Sequence, residues 1–178
     1  VITGKWKYLK YLEKTFFSFT YGGDCIGLAA AKATIEKLEK KKVIDHLYKV
    51  GSRLKSGINS LSRDYNLEEY FGCIGYPCRS IFKIDKVGKY NDPLITKTLI
   101  QQELSLRGVL WSQYHSISFS HKNSHIDKTL NVFEDSFKIF NKIIKKNKKI
   151  ENHLVGKPCE AVFTRVADFQ SVAMSQKK

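Results

Sequence analysis

Two long stretches of the sequence repeat apolar residues at intervals of three and four, and they constrain the fold more than any other feature. The first runs through residues 44–61 and the second through residues 126–144. Apolar residues at this spacing fall on one side of an α-helix. Because a helix with one apolar side must cover another layer, the pattern predicts two long helices that each bury one side.

Helix signals also occur outside these two stretches. Residues 5–14 have helical spacing, and an alanine-rich stretch begins after Asp24, a residue suited to cap a helix N-terminus. Asp92 and Pro93 mark the beginning of a further helix, and Gly108 follows its last turn. The sequence therefore predicts shorter helices before and between the two long ones.

The strand signals are few and short. Residues 80–85 are strand-like, and residues 108–120 are β-rich enough for one or two strands. Ser124 and Asp127 are expected to form a capping box at the start of the last helix. The order of elements predicts an α/β fold of the two-layer α+β kind, in which helices cover one face of a small, mostly antiparallel sheet.

Charge and cysteine content restrict the class of protein. The net charge of +14 comes mainly from lysines scattered over polar helix faces, whereas nucleic-acid modules usually add arginine and exposed aromatic residues. We therefore do not expect a nucleic-acid partner. The four cysteines lack metal-ligand spacing and are expected to be free, buried thiols. With no membrane span and no secretion signal, we expect a cytoplasmic protein.

The stretch "FFSFTYGGD" directly precedes the alanine-rich helix. A glycine pair before a helix N-terminus presents backbone N–H groups and the positive end of the helix dipole, which favour a bound phosphate. Thr20 or Ser18 could donate one more hydrogen bond. The alternative is a capped helix that follows a turn, and the residue pattern leaves both interpretations open.

Three blocks of the sequence resemble class III aminotransferases, most of all the glutamate-1-semialdehyde 2,1-aminomutase-like branch. "FFSFTYGGDCIGLAAAKATIEKLEKKKVIDHLYKVGSRLKSGI" is similar to the segment that follows the cofactor lysine in that family. "RGVLWSQYHSISFSHKNSHIDKTLNVF" resembles its late strand, Ser–His turn and closing helix. "LVGKPCEAVFTR" resembles a C-terminal tail that includes Arg165. The resemblance covers the family's C-terminal part only.

The resemblance implies a pyridoxal 5'-phosphate enzyme that works as a homodimer. In that family the residue matched by Thr20 hydrogen-bonds the cofactor phosphate across the subunit interface, which makes Thr20, Tyr21 and Gly22 the expected cofactor-binding residues. The cofactor acts as an electron sink while a small amine or keto substrate exchanges its amino group. The glycine allows the backbone to approach the anion closely.

Two residues are expected on the substrate side, Gln113 from the resemblance and Arg79 from its place after the sequence GYP. Gln113 matches a position where the aminomutase branch has a carboxylate, and Arg79 could meet a substrate carboxylate or lie at the surface. A glutamine cannot act as an ionised base, which disfavours strict aminomutase activity. His115 and His121 could share one face of a strand, and His121 matches the family's Ser–His turn.

The family's Schiff-base lysine matches a position upstream of these 178 residues. We therefore expect the C-terminal part of a transaminase or aminomutase, inactive alone, with a non-catalytic remnant and a basic nucleic-acid-binding module as alternatives. Residues 1–42 are expected to be the end of the large domain plus a long interdomain helix. Residues 43–150 would form the small domain, and residues 151–178 an extended tail.

Overall fold

The computed structural model describes residues 2–16, 20–86 and 92–160. It divides into two compact units, residues 1–44 and residues 45–178. A 3₁₀ turn at Lys10–Lys14 follows the first helix, and another at Ile150–His153 follows the last. The helices and strands are, in chain order, α1 (Trp6–Leu9), α2 (Cys25–Lys40), α3 (Val43–Asp64), β1 (Phe71–Tyr76), β2 (Arg79–Ile84), α4 (Pro93–Leu106), β3 (Tyr114–Ser116) and α5 (Asn123–Lys145).

The first unit contains α1 and α2 and has little core of its own. No described residue in the range 2–42 is buried. Trp6, Phe16 and Ile26 are all mostly exposed, Phe16 to 94%. The predicted cap of α2 is confirmed, because the Asp24 carboxylate accepts a hydrogen bond of 2.7 Å from the Gly27 amide.

The second unit is built on a three-stranded antiparallel sheet in the order β1–β2–β3. Cys73 pairs with Phe82, and Ser80 pairs with His115. Phe71, Cys73, Ser80, Phe82 and His115 alternate along the strands and are buried on one face. The predicted small antiparallel sheet covered on one face by helices is confirmed.

Helices α3 and α5 bring their apolar sides onto the buried face of the sheet. Phe137 of α5 stacks on Phe71 with ring centroids 4.9 Å apart and nearly parallel planes. The core also includes side chains from α4 and the loops between the strands. Its fully buried members include Ile58, Leu67, Phe82, Leu99, Ile100, Leu104, Phe133, Phe140 and Ile150.

The opposite face of the sheet is open in this chain. Ile74, Ile81 and Tyr114 form one row across the three strands and remain partly exposed. The single short strand β3 is all that the β-rich stretch 108–120 contributes. None of the helices in the described ranges has the length and apolar character needed to cross a bilayer.

Gly51 marks the place where α3 runs closest to the β1–β2 turn. A Cβ atom at this position would lie 2.1 Å from the Pro77 carbonyl oxygen, which is far inside contact distance. Only glycine therefore lets α3 pack this closely under the hairpin. A Cβ atom at Gly57, further along α3, would lie 2.7 Å from the side chain of Leu130, which can move more easily than a backbone carbonyl.

The capping box predicted at Ser124 and Asp127 is wrong. Helix α5 begins at Asn123, so Ser124 already lies within its first turn. The backbone N–H of Lys122 instead donates to Nδ1 of His125 at 3.2 Å. The Asp127 carboxylate forms an ion pair with Arg53 of α3, because α3 and α5 lie side by side over the sheet.

The cysteines are free, as expected, but they are not all buried. Cys73 is buried under α3, whereas Cys25 is exposed at the first position of α2. Cys78 and Cys159 are partly buried. The expectation of buried thiols is therefore wrong for Cys25, since α2 has no buried side in this chain.

Candidate functional site

The predicted cofactor-binding residues lie in an exposed turn before α2. Thr20, Tyr21, Gly22 and Gly23 are all exposed, and the Asp24 N–H closes the turn by donating to the Tyr21 carbonyl at 3.2 Å. A Cβ atom added at Gly23 would meet no atom within 4 Å. The backbone here is therefore open to a ligand from outside this unit. Ser18 falls outside the described residues.

Part of the hydrogen-bonding capacity of the turn is unused within the described residues. The Asp24 carboxylate accepts a hydrogen bond from the Gly27 amide. A negative group therefore already occupies one position at the N-terminus of α2. Among the described residues, the Thr20 hydroxyl and the amides of Gly22 and Gly23 have no hydrogen-bond partner. A phosphate would therefore be held by the turn rather than by the first turn of the helix.

Gln113 lies just before β3 and is tied to the neighbouring strand. Its backbone has a φ of +74°, a conformation that residues other than glycine rarely adopt. Its carbonyl accepts from the Phe82 N–H at 2.9 Å, and its side-chain Nε2 donates to the Phe82 carbonyl at 3.0 Å. The side-chain nitrogen of Gln113 is thus bonded to β2. Its side-chain oxygen remains available for a substrate contact.

Arg79 begins β2 on the open face of the sheet. It pairs across the sheet with Tyr76 on one side and Ser116 on the other, and its side chain is exposed. Thr20, Tyr21 and Gly22 belong to the first compact unit, whereas Arg79 and Gln113 belong to the second. Each predicted residue is thus accessible within its own unit.

A buried polar cluster beneath the sheet was not predicted. His115 Nδ1 lies 3.1 Å from Ser80 Oγ and 3.7 Å from Cys73 Sγ, and Trp111 Nε1–H donates to His115 Nε2 at 3.1 Å. Since Trp111 is a donor only, the neutral imidazole must hold its proton on Nδ1. The Nδ1–H group can then donate to the Ser80 hydroxyl.

Burial determines the protonation of this cluster. Desolvation lowers the pKa of His115 from its ordinary value of 6.5 to about 4, and it raises the pKa of the Cys73 thiol. Both groups are therefore neutral at pH 7. The cluster contributes hydrogen bonds that link the three strands, and its cysteine is a thiol and not a thiolate at pH 7.

The expectation that His115 and His121 share a strand face is wrong. Strand β3 ends at Ser116, and His121 lies in the turn that leads into α5. There its Nδ1 accepts from the Ser118 N–H at 2.9 Å and lies 3.0 Å from the Ser118 hydroxyl. The correspondence of His121 with the family's Ser–His turn stays a prediction. Both histidines nevertheless line one cavity of about 140 Å³.

Sequence comparisons link the chain to known enzymes, although no family model matches it. It is 30% identical to the glutamate-1-semialdehyde 2,1-aminomutase of Clostridium beijerinckii over 141 residues, which is 72% of this chain and 32% of that protein. It is 32% identical to the Thermoplasma volcanium protein of the same name over 126 residues, or 65% of this chain and 29% of that protein. The chain thus spans about a third of the length of these relatives.

A solved structure shares the fold. The FumI protein of a Sphingopyxis species, determined in its PLP internal aldimine form, matches 80% of this chain and 33% of its own with a TM-score of 0.66 and 18% identity. Fold and sequence together define this chain as a relative of the class III aminotransferases. Within that class, its curated relatives include the glutamate-1-semialdehyde 2,1-aminomutases.

Proposed function

We propose that this chain is part of a pyridoxal-phosphate-dependent aminotransferase or aminomutase that moves an amino group between an amine and a carbonyl substrate. The observation that carries the proposal is the alignment with glutamate-1-semialdehyde 2,1-aminomutase over 72% of the chain. The shared fold supports it independently, because the FumI structure matches across 80% of the chain.

The exposed first unit supports a larger assembly. A segment of some forty residues without a buried side chain in its described part does not gain enough apolar burial to be stable alone. Its exposed Trp6, Phe16 and Ile26 would be covered by further protein. The relatives are about three times as long as the matched region, and we propose that the complete enzyme is a homodimer.

The turn before α2 fits one end of the cofactor. Thr20 would donate its hydroxyl proton to a phosphate oxygen, and the Gly22 amide would approach the same group without a side chain in the way. Tyr21, 82% exposed, would cover the anion from solvent. When bound, pyridoxal phosphate supplies an electron sink for amino-group transfer. We propose that this turn serves the site of the partner subunit.

The second unit would orient the substrate. Arg79 offers a bidentate donor for a carboxylate, and Gln113 offers its side-chain carbonyl to an amine. Neither residue can move a proton at neutral pH. The lysine that would do so in the family matches none of these 178 residues, so we propose that this chain binds and positions while another segment carries the proton transfer.

The test uses a protein extended by the sequence encoded upstream of Val1. We expect absorbance in the visible Schiff-base band and exchange of amino groups between amine and keto acid pairs. Thr20→Val should weaken cofactor binding about fivefold to thirtyfold, the effect of one hydrogen bond to a charged group. Thr34→Val is the matched control, since the Thr34 hydroxyl bonds only to the Ala30 carbonyl of its own helix.

Three outcomes are informative. A stable, folded protein that binds no pyridoxal phosphate would refute the enzyme proposal and favour the non-catalytic remnant. Binding of pyridoxal phosphate without amino-group exchange would support the proposed cofactor and reject the proposed reaction. Equal cofactor affinity in the Thr20 and Thr34 variants would reject the role of Thr20 and leave the reaction intact.

A further inference from the structure

Lysine side chains surround two neighbouring concavities at the C-terminal half of α5. The two share Lys142 and Lys146, and no carboxylate of the described residues lines either one. The first has a volume of about 350 Å³ and is lined by Tyr65, Lys138, Asn141, Lys142, Lys145 and Lys146. The second, of about 220 Å³, is lined by Ile139, Lys142, Ile143, Lys146, Lys148 and His153. We call the five lysines of these walls the lysine surface.

Most of this positive charge is uncompensated. Within the described ranges, Lys138 is the one lysine of this surface that forms ion pairs with carboxylates. Its Nζ lies 2.8 Å from Glu134 Oε1, and it also pairs with Asp135. Lys142, Lys145, Lys146 and Lys148 have no carboxylate partner among those residues. Like charges gathered in a concave surface focus a positive potential there and attract anions.

One wall of the first concavity is fixed by hydrogen bonds. The Tyr65 hydroxyl donates to Glu134 Oε1 at 2.8 Å, and Asn141 Nδ2 donates to the Tyr65 carbonyl at 3.2 Å. The hydrogen bond with Glu134 raises the pKa of Tyr65, and the hydrogen bond with Lys138 lowers the pKa of Glu134. The wall is thus organised before a ligand binds, and Lys138 is held within it by Glu134.

The spacing of the amines indicates an extended ligand. Eight residues separate Lys138 from Lys146, which corresponds to about 12 Å along the helix. A chain of linked phosphates can therefore contact more of these lysines at once than a single phosphate can. The lysines near the end of α5 also offset the helix dipole, but this effect is confined to the last turn, and Lys138 lies before it.

We propose that the lysine surface binds a small anion that carries two or more linked phosphate groups. Lysine amines are compact charges suited to phosphate oxygens, and the volume of the first concavity suits a small molecule. This site belongs to the second compact unit, whereas the turn at Thr20 belongs to the first. It does not depend on the proposed transaminase activity.

The test is calorimetric titration of the 178-residue protein with orthophosphate, pyrophosphate and tripolyphosphate at low salt. We expect affinity to rise with the number of linked phosphates and to fall as salt approaches about 0.15 M. Lys142→Gln combined with Lys146→Gln removes the two amines common to both concavities, and it should weaken tripolyphosphate binding about tenfold.

The matched control replaces Lys32 and Lys49 by glutamine. These exposed lysines lie on α2 and α3, and their loss lowers the net charge by the same amount. We expect this control to change affinity by less than about twofold. Equal weakening by both double variants, or no binding of tripolyphosphate at low salt, would overturn the proposal. A single-stranded oligonucleotide that binds the same lysines more tightly than tripolyphosphate would overturn the assignment of the ligand.

Discussion

The buried His115 predicts that this protein loses stability in mild acid. In the folded chain the imidazole is neutral and fully engaged, with Trp111 at Nε2 and Ser80 at Nδ1. Protonation would place a charge in a site that is only 6% exposed and would remove the acceptor for Trp111. Acidification is therefore the perturbation, and the free energy of unfolding is the quantity to measure.

The magnitude follows from the difference between the folded and unfolded pKa values. Burial lowers the pKa of His115 from 6.5 to about 4. At about 1.4 kcal/mol per pH unit, this corresponds to about 3 kcal/mol. Since the unfolded chain binds the proton more readily, the stabilisation is complete above pH 6.5. It is lost progressively as the pH falls toward 4.

The assay is urea unfolding at several pH values between 7.5 and 4, on wild-type protein, His115→Gln and His153→Gln. Carboxylates also titrate in acid, so the informative quantity is the difference in pH dependence between variants. In wild-type protein we expect the free energy of unfolding to fall between pH 6.5 and 4. The His115 variant should lose this fall, and the variant at the exposed His153 should keep it. An NMR titration of the wild-type imidazoles checks the same point without a mutation.

Two results would contradict this reasoning. One is an identical pH dependence in wild-type protein and the His115 variant. The other is an imidazole resonance of His115 that titrates near pH 6.5, which would show that the ring is hydrated in solution. Either result would mean that the cluster of His115, Ser80 and Cys73 does not bury the imidazole as the structure has it.

Three substitutions and one control test the packing and a helix cap of the second unit by urea unfolding. Gly51→Ala should destabilise by about 1–3 kcal/mol, because its Cβ would lie 2.1 Å from the Pro77 carbonyl oxygen. Gly72→Ala is the control, because a Cβ atom added there would meet no atom within 4 Å, and it should leave stability unchanged. Equal destabilisation by the Gly51 and Gly72 substitutions would contradict the close approach of α3 to Pro77. Phe137→Ala should cost about 3–5 kcal/mol, and a cost near zero would contradict its place in the core. Asp92→Ala should cost about 1 kcal/mol, because Asp92 accepts from two amides at the start of α4, and an unchanged midpoint would contradict that cap.

Helices were predictable because their signals are local. The spacing of apolar residues in α3 and α5 lies within a few residues along the chain, and so do the caps at Asp24 and Asp92. The capping box of α5 was predicted wrongly because the residue that draws Asp127 away is Arg53, more than seventy positions earlier. A cap can be predicted from neighbouring residues only when no distant partner competes for the same carboxylate.

Strand β1 shows the complementary case. Its glycines and the following Pro77 indicate a turn, and its strand character comes from pairing with β2. The same holds for His115, whose partners Ser80 and Cys73 lie 35 and 42 residues away. The two residues predicted on the substrate side, Arg79 and Gln113, remain predictions, as do Thr20 and its neighbours in the turn.

The sequence by itself determined the helices, the two-layer arrangement and the relationship to aminotransferases, because periodicity, caps and matched residues can be read along the chain. Only the tertiary structure decided which polar groups meet. The fold buries His115 as a neutral imidazole, and it brings the Gln113 side-chain amide within hydrogen-bond distance of the Phe82 carbonyl. It also places the lysines of α5 around two concavities. These properties depend on desolvation and distance between residues far apart in sequence, and neither quantity is recorded in the order of the residues.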